Sequence, residues 1–456
     1  MKKKVYLVQC SYRKMDRSVV KGSSMIINCT LNVPMLIPTI PADWEIDICL
    51  ENFTEIDYGN DAPVIFISTT SSDMVHAYHV AHRFKALGKK VFFGGFSDTM
   101  SLSVMKLICD SIYWGNPDAA WMGKMLDDAL NGSIKPEYQC GINIDFAFDY
   151  SVFEGEKIDH LIVVSSVGCR HRCDYCQHTV QYDGIYRLRD IDYVLEDMRS
   201  VKKFAGIAAF RDSNFYNDRE YTRALCERII DEQLDMKWGA QCPITIGKNP
   251  ELLKLMYRAG CRALFIGYES LNQENLKSVN KPSLVKHYKA YTRNIRDAGI
   301  YVVGYFVFGW DYDTGESFSR VYDFARETRL SLPIINMYTP VPGTRFYNRL
   351  VEEGRVDLPA PEDFVQEDLI FSIPCNSCHY VPLSAPSDEL EREFMRLYRK
   401  FTAPGQILKR SIGNNIPESI ALLKMNLNLR FERRKLNRSL RLKNNGAKIH
   451  RPEPVA

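Results

Sequence analysis

A short apolar run delivers three cysteines to the end of a strand, and this constrains the fold more than any other feature. His160-Leu-Ile-Val-Val-Ser-Ser166 is rich in β-branched residues and lacks the alternation of a half-exposed strand. Such a run reads as a parallel strand buried on both faces, which requires helices above and below the sheet. Cys169, Cys173 and Cys176 follow at C-x3-C-x2-C spacing. They sit on the loop at the strand's C-terminal end, where α/β barrels place their active sites. Three thiolates so close together can cap three irons of a cubane [4Fe–4S] cluster, which normally takes four, leaving one iron open to another ligand. The residues alone also leave a zinc site open, since His171 and His178 could complete one.

The remaining pattern extends this sheet logic. Residues 4–10, Glu45–Leu50, Pro63–Ser68, Val91–Gly95 and Ser111–Trp114 are predicted strands, with helices over Met74–Lys89, Met100–Cys109 and Asp118–Leu130. Strands alternating with helices give an α/β class and a Rossmann-like or flavodoxin-like domain over residues 1–135. Residues 136–158 lack periodicity and are predicted to be a linker. From His160 six β/α units recur, their later strands at Gly206–Phe210, Met236–Gln241, Ala263–Gly267, Ile300–Gly309 and Ile334–Thr339. They are expected to form an open, partial (β/α)6 barrel over 159–345. Residues 346–456 are expected to be mainly helical, with an amphipathic helix at Ser387–Phe401. Residues 430–451 carry nine Lys/Arg against one acidic residue, and read as a solvated terminal helix with a basic tail.

Composition narrows the function classes. A net charge of +3 over 456 residues gives no general basis for nucleic-acid binding. No apolar run reaches the length of a membrane span. The opening Met1-Lys-Lys-Lys-Val-Tyr-Leu-Val reads as a first strand and not as a signal peptide. Thirteen cysteines, an odd number mostly scattered through apolar segments, argue for buried thiols in a reducing cytoplasm. An oxygen-sensitive cluster would favour an anaerobic host. Cys375 and Cys378, followed by His379, form a second C-x2-C pair. A single pair is a weak metal signal, and a buried turn is the simpler reading.

The cysteine triad, with Tyr175 just before its last member, resembles the radical S-adenosylmethionine (SAM) superfamily. The resemblance implies that the open iron chelates the amino and carboxylate groups of SAM. The reduced cluster then cleaves SAM to methionine and a 5′-deoxyadenosyl radical, which abstracts a substrate hydrogen. It directs attention to Tyr175 as a cofactor-binding residue and to polar residues at strand ends: Asp212 or Glu269 for the ammonium or the diol, and Gln241 for the ribose. An aromatic barrel mouth of Tyr268, Trp310, Tyr312 and Tyr338 is expected, suiting a sizeable, partly apolar small molecule or natural product. An external electron donor such as flavodoxin or ferredoxin is a further expectation.

Phe210-Arg-Asp-Ser-Asn-Phe215, Gly267-Tyr-Glu-Ser270, Val279-Asn-Lys281, Phe306–Thr314 and Thr339–Thr344 narrow the resemblance. They are similar to radical SAM enzymes with an N-terminal B12-binding-type domain, among them anaerobic magnesium-protoporphyrin cyclase, hopanoid methylases and peptide or antibiotic C-methyltransferases. The likeness runs from about residue 4 to 430. It implies cobalamin at the C-terminal edge of the first sheet, near Ser68, Thr69, Ser71, Gly94 and Gly95. No D-x-H-x-x-G motif is present, and the family's G-E-x-E appears as Gly115-Asn116-Pro117-Asp118. The implied activity is cobalamin-dependent C-methylation. A cobalamin-independent cyclase, dehydratase or rearrangement enzyme is the alternative. A tRNA methylthiotransferase and a non-enzymatic zinc module are more distant ones.

Overall fold

The computed structural model describes residues 2–11, 31–69, 74–95, 99–356 and 378–444. Ser71 and Cys375 lie outside the described residues. Six strands form the first sheet: β1 (Lys4–Gln9), β2 (Glu45–Leu50), β3 (Val64–Ser68), β4 (Lys90–Gly95), β5 (Ser111–Asn116) and β6 (Glu137–Ile142). Their order is β2-β1-β3-β4-β5-β6, with every pair parallel. This is the doubly wound flavodoxin-like order with one strand added, and its switch point falls between β1 and β3. Both faces are covered. Val5, Leu7, Val64, Phe66 and Phe92 pack under Met122, Met125 and Leu126 of one helix. Tyr6, Val8, Ile65, Ile67 and Phe93 pack under Ala77, Val80 and Phe84 of another.

Strand β6 corrects the expectation of a linker over 136–158. It is an edge strand burying only Tyr138 and Cys140, so its apolar signal is thin. The stretch after it is fastened to the second unit. The Tyr150 hydroxyl donates to Ile162 O at 2.8 Å. Arg189, fully buried with Asp197, donates to Ile144 O (2.7 Å), Phe146 O (2.6 Å) and Val164 O (2.9 Å).

The second sheet comprises β7 (Leu161–Val163), β10 (Ile207–Phe210), β11 (Lys237–Pro243), β12 (Cys261–Glu269), β13 (Tyr301–Phe308) and β14 (Leu332–Met337), following the short strands β8 (Ser166–Gly168) and β9 (Tyr186–Leu188) in chain numbering. Its order is β14-β13-β12-β11-β10-β7, all parallel, and β7 and β14 do not pair with each other. It is the expected open, partial barrel of six β/α units. The predicted first strand His160–Ser166 is broken, however. β7 ends at Val163, and β8 pairs antiparallel with β9 in a separate ribbon. Asp212 causes the break. Its carboxylate takes the Ser165 amide (2.9 Å) and the Ser165 and Ser166 hydroxyls (2.5 and 2.6 Å), drawing the chain out of the sheet.

The C-terminal region is helical, as expected. Helix Ser387–Phe401 seats Leu390, Phe394 and Leu397 in the barrel core. Asn426, fully buried in helix Ile416–Asn444, donates to Ser331 O at 3.1 Å. No helix of the described residues is long and apolar enough to cross a membrane.

Candidate functional site

The cysteine loop leaves the β8–β9 ribbon through Gly168, which has φ +81°. A Cβ on Gly168 would lie 1.9 Å from Ile185 O on the facing ribbon, so the position needs glycine for both space and backbone. The loop is stitched down at several points. The Asp174 amide donates to Val279 O (2.9 Å), the Phe346 amide to Asp174 O (2.9 Å), and the Asn280 side chain to Arg172 O (3.1 Å). Cys176 is the residue before helix Gln177–Tyr182. Gly168→Ala is therefore expected to cost about 1–2 kcal/mol from the left-handed backbone alone, and more from the clash with Ile185 O. The variant should retain less iron after reconstitution, whereas Gly206→Ala, whose added Cβ meets nothing within 4 Å, should match the parent in iron content and urea midpoint.

All three cysteines are free thiols. Burial pushes the Cys173 thiol up to about 12, only partly opposed by Lys281, and burial likewise raises Cys176. A metal must displace their protons to bind. Among the described residues the triad is not drawn together with His171 or His178 into a single-ion ligand set. The Cys169 Sγ lies 3.7 Å from Asn217 Oδ1, and Asn214 donates to the same oxygen at 2.8 Å. Asn217 escaped the sequence reading, because an asparagine three residues past a helix-start asparagine reads as turn chemistry.

Beside the loop stands a charged pair. Lys281 Nζ donates to Glu269 Oε1 at 3.1 Å and to the Tyr175 hydroxyl at 3.4 Å. Both side chains of the ion pair are mostly buried, at 14% exposure each. Burial works against the charged ammonium, but Glu269 and Cys173 outweigh it and hold the Lys281 pKa above its ordinary value. Burial, then the Glu269 charge, lifts the Tyr175 phenol well above its usual range. Glu269 is itself held at φ +61°, in the left-handed region, where the ladder between β12 and β13 slips at Gly267/Glu269. Bulges of this kind re-aim a side chain, and such strain collects at functional sites. Gly267 provides the space, since a Cβ there would meet Glu269 Oε1 at 2.5 Å. Lys281 sits in the quoted Val279-Asn-Lys281 run, but nothing in its sequence setting shows that it pairs with Glu269.

The other expected contacts divide. Gln241 is half-buried on the lumen side of β11, in register with Phe265. Asp212 is corrected: its carboxylate is fully occupied by Ser165 and Ser166, which makes it a brace and not an open acceptor for SAM. The aromatic mouth is also corrected. Tyr268 faces the helices, stacked on Phe306 with its hydroxyl on Thr292. Trp310 and Tyr338 are buried with Phe346 and Tyr380 as a satellite core backing Tyr175; Tyr312 is exposed. Small residues line part of the lumen, since Ala209, Gly239 and Ala263 lie side by side in register, while Phe265 and Tyr305 stand further along the same face. Exposed Arg211 stands one step further, opposite the sheet face taken by buried Phe210. Cys378 is half-buried against Ser387 O, and burial pushes its thiol up to about 12.

At the first sheet's C-terminal edge, Ser68 and Thr69 are buried. Asn32 donates to the Ser68 hydroxyl, and Gln9 to Ser68 O at 3.1 Å. Gly94 is glycine for Tyr113, whose carbonyl oxygen would lie 2.2 Å from an added Cβ; this corrects the expectation that it clears space for a ligand. Gly95 ends β4. At the end of β5, Asn116 is buried with neither amide atom paired among the described residues. Helix Thr99–Met105, which follows β4, touches helix Gln177–Tyr182, which follows the cysteine loop. The two sheets' C-terminal ends are thus neighbours.

Residues 163–325 match the family model of the radical SAM superfamily. The chain is 29% identical over 367 residues to bacteriochlorophyllide d C-12(1)-methyltransferase of Chlorobaculum tepidum, an alignment spanning 77% of each chain. It is 24% identical to the C-8(2)-methyltransferase of the same organism, over 84% of this chain and 89% of that one. Among solved structures, the radical SAM methyltransferase TsrM of Kitasatospora setae superposes with a TM-score of 0.67 at 13% identity, covering 98% of this chain and 100% of that one.

Proposed function

We propose that this chain, a radical SAM enzyme, is a cobalamin-dependent C-methyltransferase whose substrate is a bulky, largely apolar molecule bearing an acidic group. The observation that carries the reading is the contact between helices Thr99–Met105 and Gln177–Tyr182, which brings the edge of a B12-binding-type sheet beside the cysteine loop. The relatives aligned along most of the chain are named as methyltransferases, which agrees. Bound together, a SAM-ligated [4Fe–4S] cluster supplies a hydrogen-abstracting radical and a methylated corrin supplies the methyl group.

The chain's own residues bind and orient. Cys169, Cys173 and Cys176 would hold the cluster. Glu269 and Lys281, paired at 3.1 Å, present one charge of each sign to the ammonium and carboxylate of SAM. Tyr175 holds its hydroxyl on Lys281 from the side of the loop. Gln241, half-buried on the lumen side of β11, would hydrogen-bond a ribose hydroxyl. The floor of Ala209, Gly239 and Ala263 leaves width for a flat ring system, and Arg211 offers a cation for its acidic group. At the other edge, Asn116 has two polar atoms to satisfy, which suits the amide-rich rim of a corrin. Free thiols throughout the described residues suit a reducing cytoplasm, with flavodoxin or ferredoxin as the electron donor.

Anaerobic reconstitution with hydroxocobalamin, followed by SAM and reductant, tests this. Retained corrin absorbance, with both 5′-deoxyadenosine and S-adenosylhomocysteine in the mass spectrum, is the expected result. Deoxyadenosine without S-adenosylhomocysteine and without retained corrin would overturn the cobalamin step and leave a radical SAM enzyme of another reaction class.

A further inference from the structure

We propose that Cys10, Glu51 and His76 form a second metal centre, in the N-terminal unit, that binds one zinc ion. One ligand atom from each residue lies within 4.8 Å of the others. Zinc with ligands at 2.0–2.3 Å sets tetrahedral ligand separations of about 3.3–3.8 Å, so only a small contraction is needed. The three residues arrive from three neighbouring elements. Cys10 leaves β1, Glu51 leaves β2, and His76 lies in the first turn of helix Met74–Ala86, which follows β3. In the sheet β1 lies between the other two strands, so their ends converge at its exit.

The chemistry of the set is selective. Cys10 and Glu51 are 3% and 4% exposed. A divalent ion with one thiolate, one carboxylate and one neutral imidazole makes a neutral centre. Mixed sulfur, nitrogen and oxygen donors of this kind suit zinc better than calcium or magnesium. His76 Nε2 is hydrogen-bonded to the Glu51 carboxylate at 2.9–3.0 Å, a contact that a bound ion would open slightly and replace. The Ser11 amide donates to Glu51 Oε2 at 2.9 Å, which orients that carboxylate as an outer-shell partner does. Binding exchanges the Cys10 proton for the ion. Three protein ligands leave the fourth tetrahedral position for water or for an oxygen of a bound molecule. The centre lies at the sheet's switch point and requires neither a cobalamin nor a methyl transfer.

The test uses the full chain with its cluster reconstituted, so that the triad thiols are taken. After equilibration with micromolar zinc and desalting, elemental analysis should find about one zinc per chain in addition to the cluster iron. Cys10→Ser and His76→Gln should each weaken zinc binding at least roughly 10- to 100-fold, the scale of losing even an outer-shell partner, while iron content and the thermal midpoint stay near the parent's. Cobalt(II) in the unmutated protein provides a readout needing no variant: a sulfur-to-cobalt charge-transfer band with tetrahedral visible bands is expected. Absence of zinc above trace levels, a cobalt spectrum without the sulfur band, or zinc retained equally by both variants would overturn the proposal.

Discussion

Alanine at Cys169, at Cys173 or at Cys176 is expected to abolish the cluster's visible absorbance and the formation of 5′-deoxyadenosine from SAM. The loss should be on the order of 10⁴-fold or more, the scale seen when one member of a catalytic unit is removed. The triple variant should be no worse than any single one, because groups acting as one unit are not additive. The fold should survive, since the loop is held by backbone bonds to Val279 and Phe346 and by the Gly168 crossing, none of which uses a thiol. Cys378→Ala is the informative contrast. That thiol packs beside Ser387 and lies 3.7 Å from where a Gly309 Cβ would stand, within the C-terminal packing. It should leave both iron and activity unchanged. A fall in iron there would assign the C-x2-C pair a metal after all, and unchanged iron in all three triad variants would sink the cluster assignment.

The second large effect lies at the buried Arg189–Asp197 pair. Arg189→Met is expected to destabilise the chain by about 3–5 kcal/mol, because it strands the buried Asp197 charge. It also strips donors from the carbonyls of Ile144, Phe146 and Val164. Against a typical total of about 5–15 kcal/mol, this would leave little soluble protein at 37 °C. Burial already holds the Asp197 carboxyl up at about 6 despite the pull of Arg189. A carboxyl with a raised folded pKa favours folding when protonated, and that advantage fades as pH rises through the folded value. Removing the arginine raises that value further. The deficit of Arg189→Met should therefore be smaller at pH 5 than at pH 8. Arg189→Met with Asp197→Leu should recover part of the loss, since no unpaired charge remains. Urea midpoints of the three proteins at both pH values measure this. A double variant no better than the single one would mean that the orphaned carbonyls, and not the charge, dominate.

What could be read in advance follows from physical signal strength. Strands buried on both faces, such as β1, β3 and β13, write themselves as β-branched and aromatic runs, and all were legible. β6 was not, because an edge strand burying Tyr138 and Cys140 alone carries half the pattern. The break between β7 and β8 was hidden because it depends on Asp212, forty-six residues beyond Ser166, choosing two serines as partners. The cysteine triad stood out as candidate ligands because that chemistry is written in spacing. Glu269 was placed at the right strand end, but its partner Lys281 and its left-handed backbone depend on a register slip that periodicity cannot express. Tyr268 and Trp310 were misjudged as mouth residues because an aromatic at a strand end packs equally well toward either side of the sheet.

The lacing of the cysteine loop has one more consequence. Because backbone contacts to Val279 and Phe346 hold its shape and use no thiol, the loop's fold does not depend on what its cysteines bind. A cluster lost to oxygen would then call for refilling and not for a new chain.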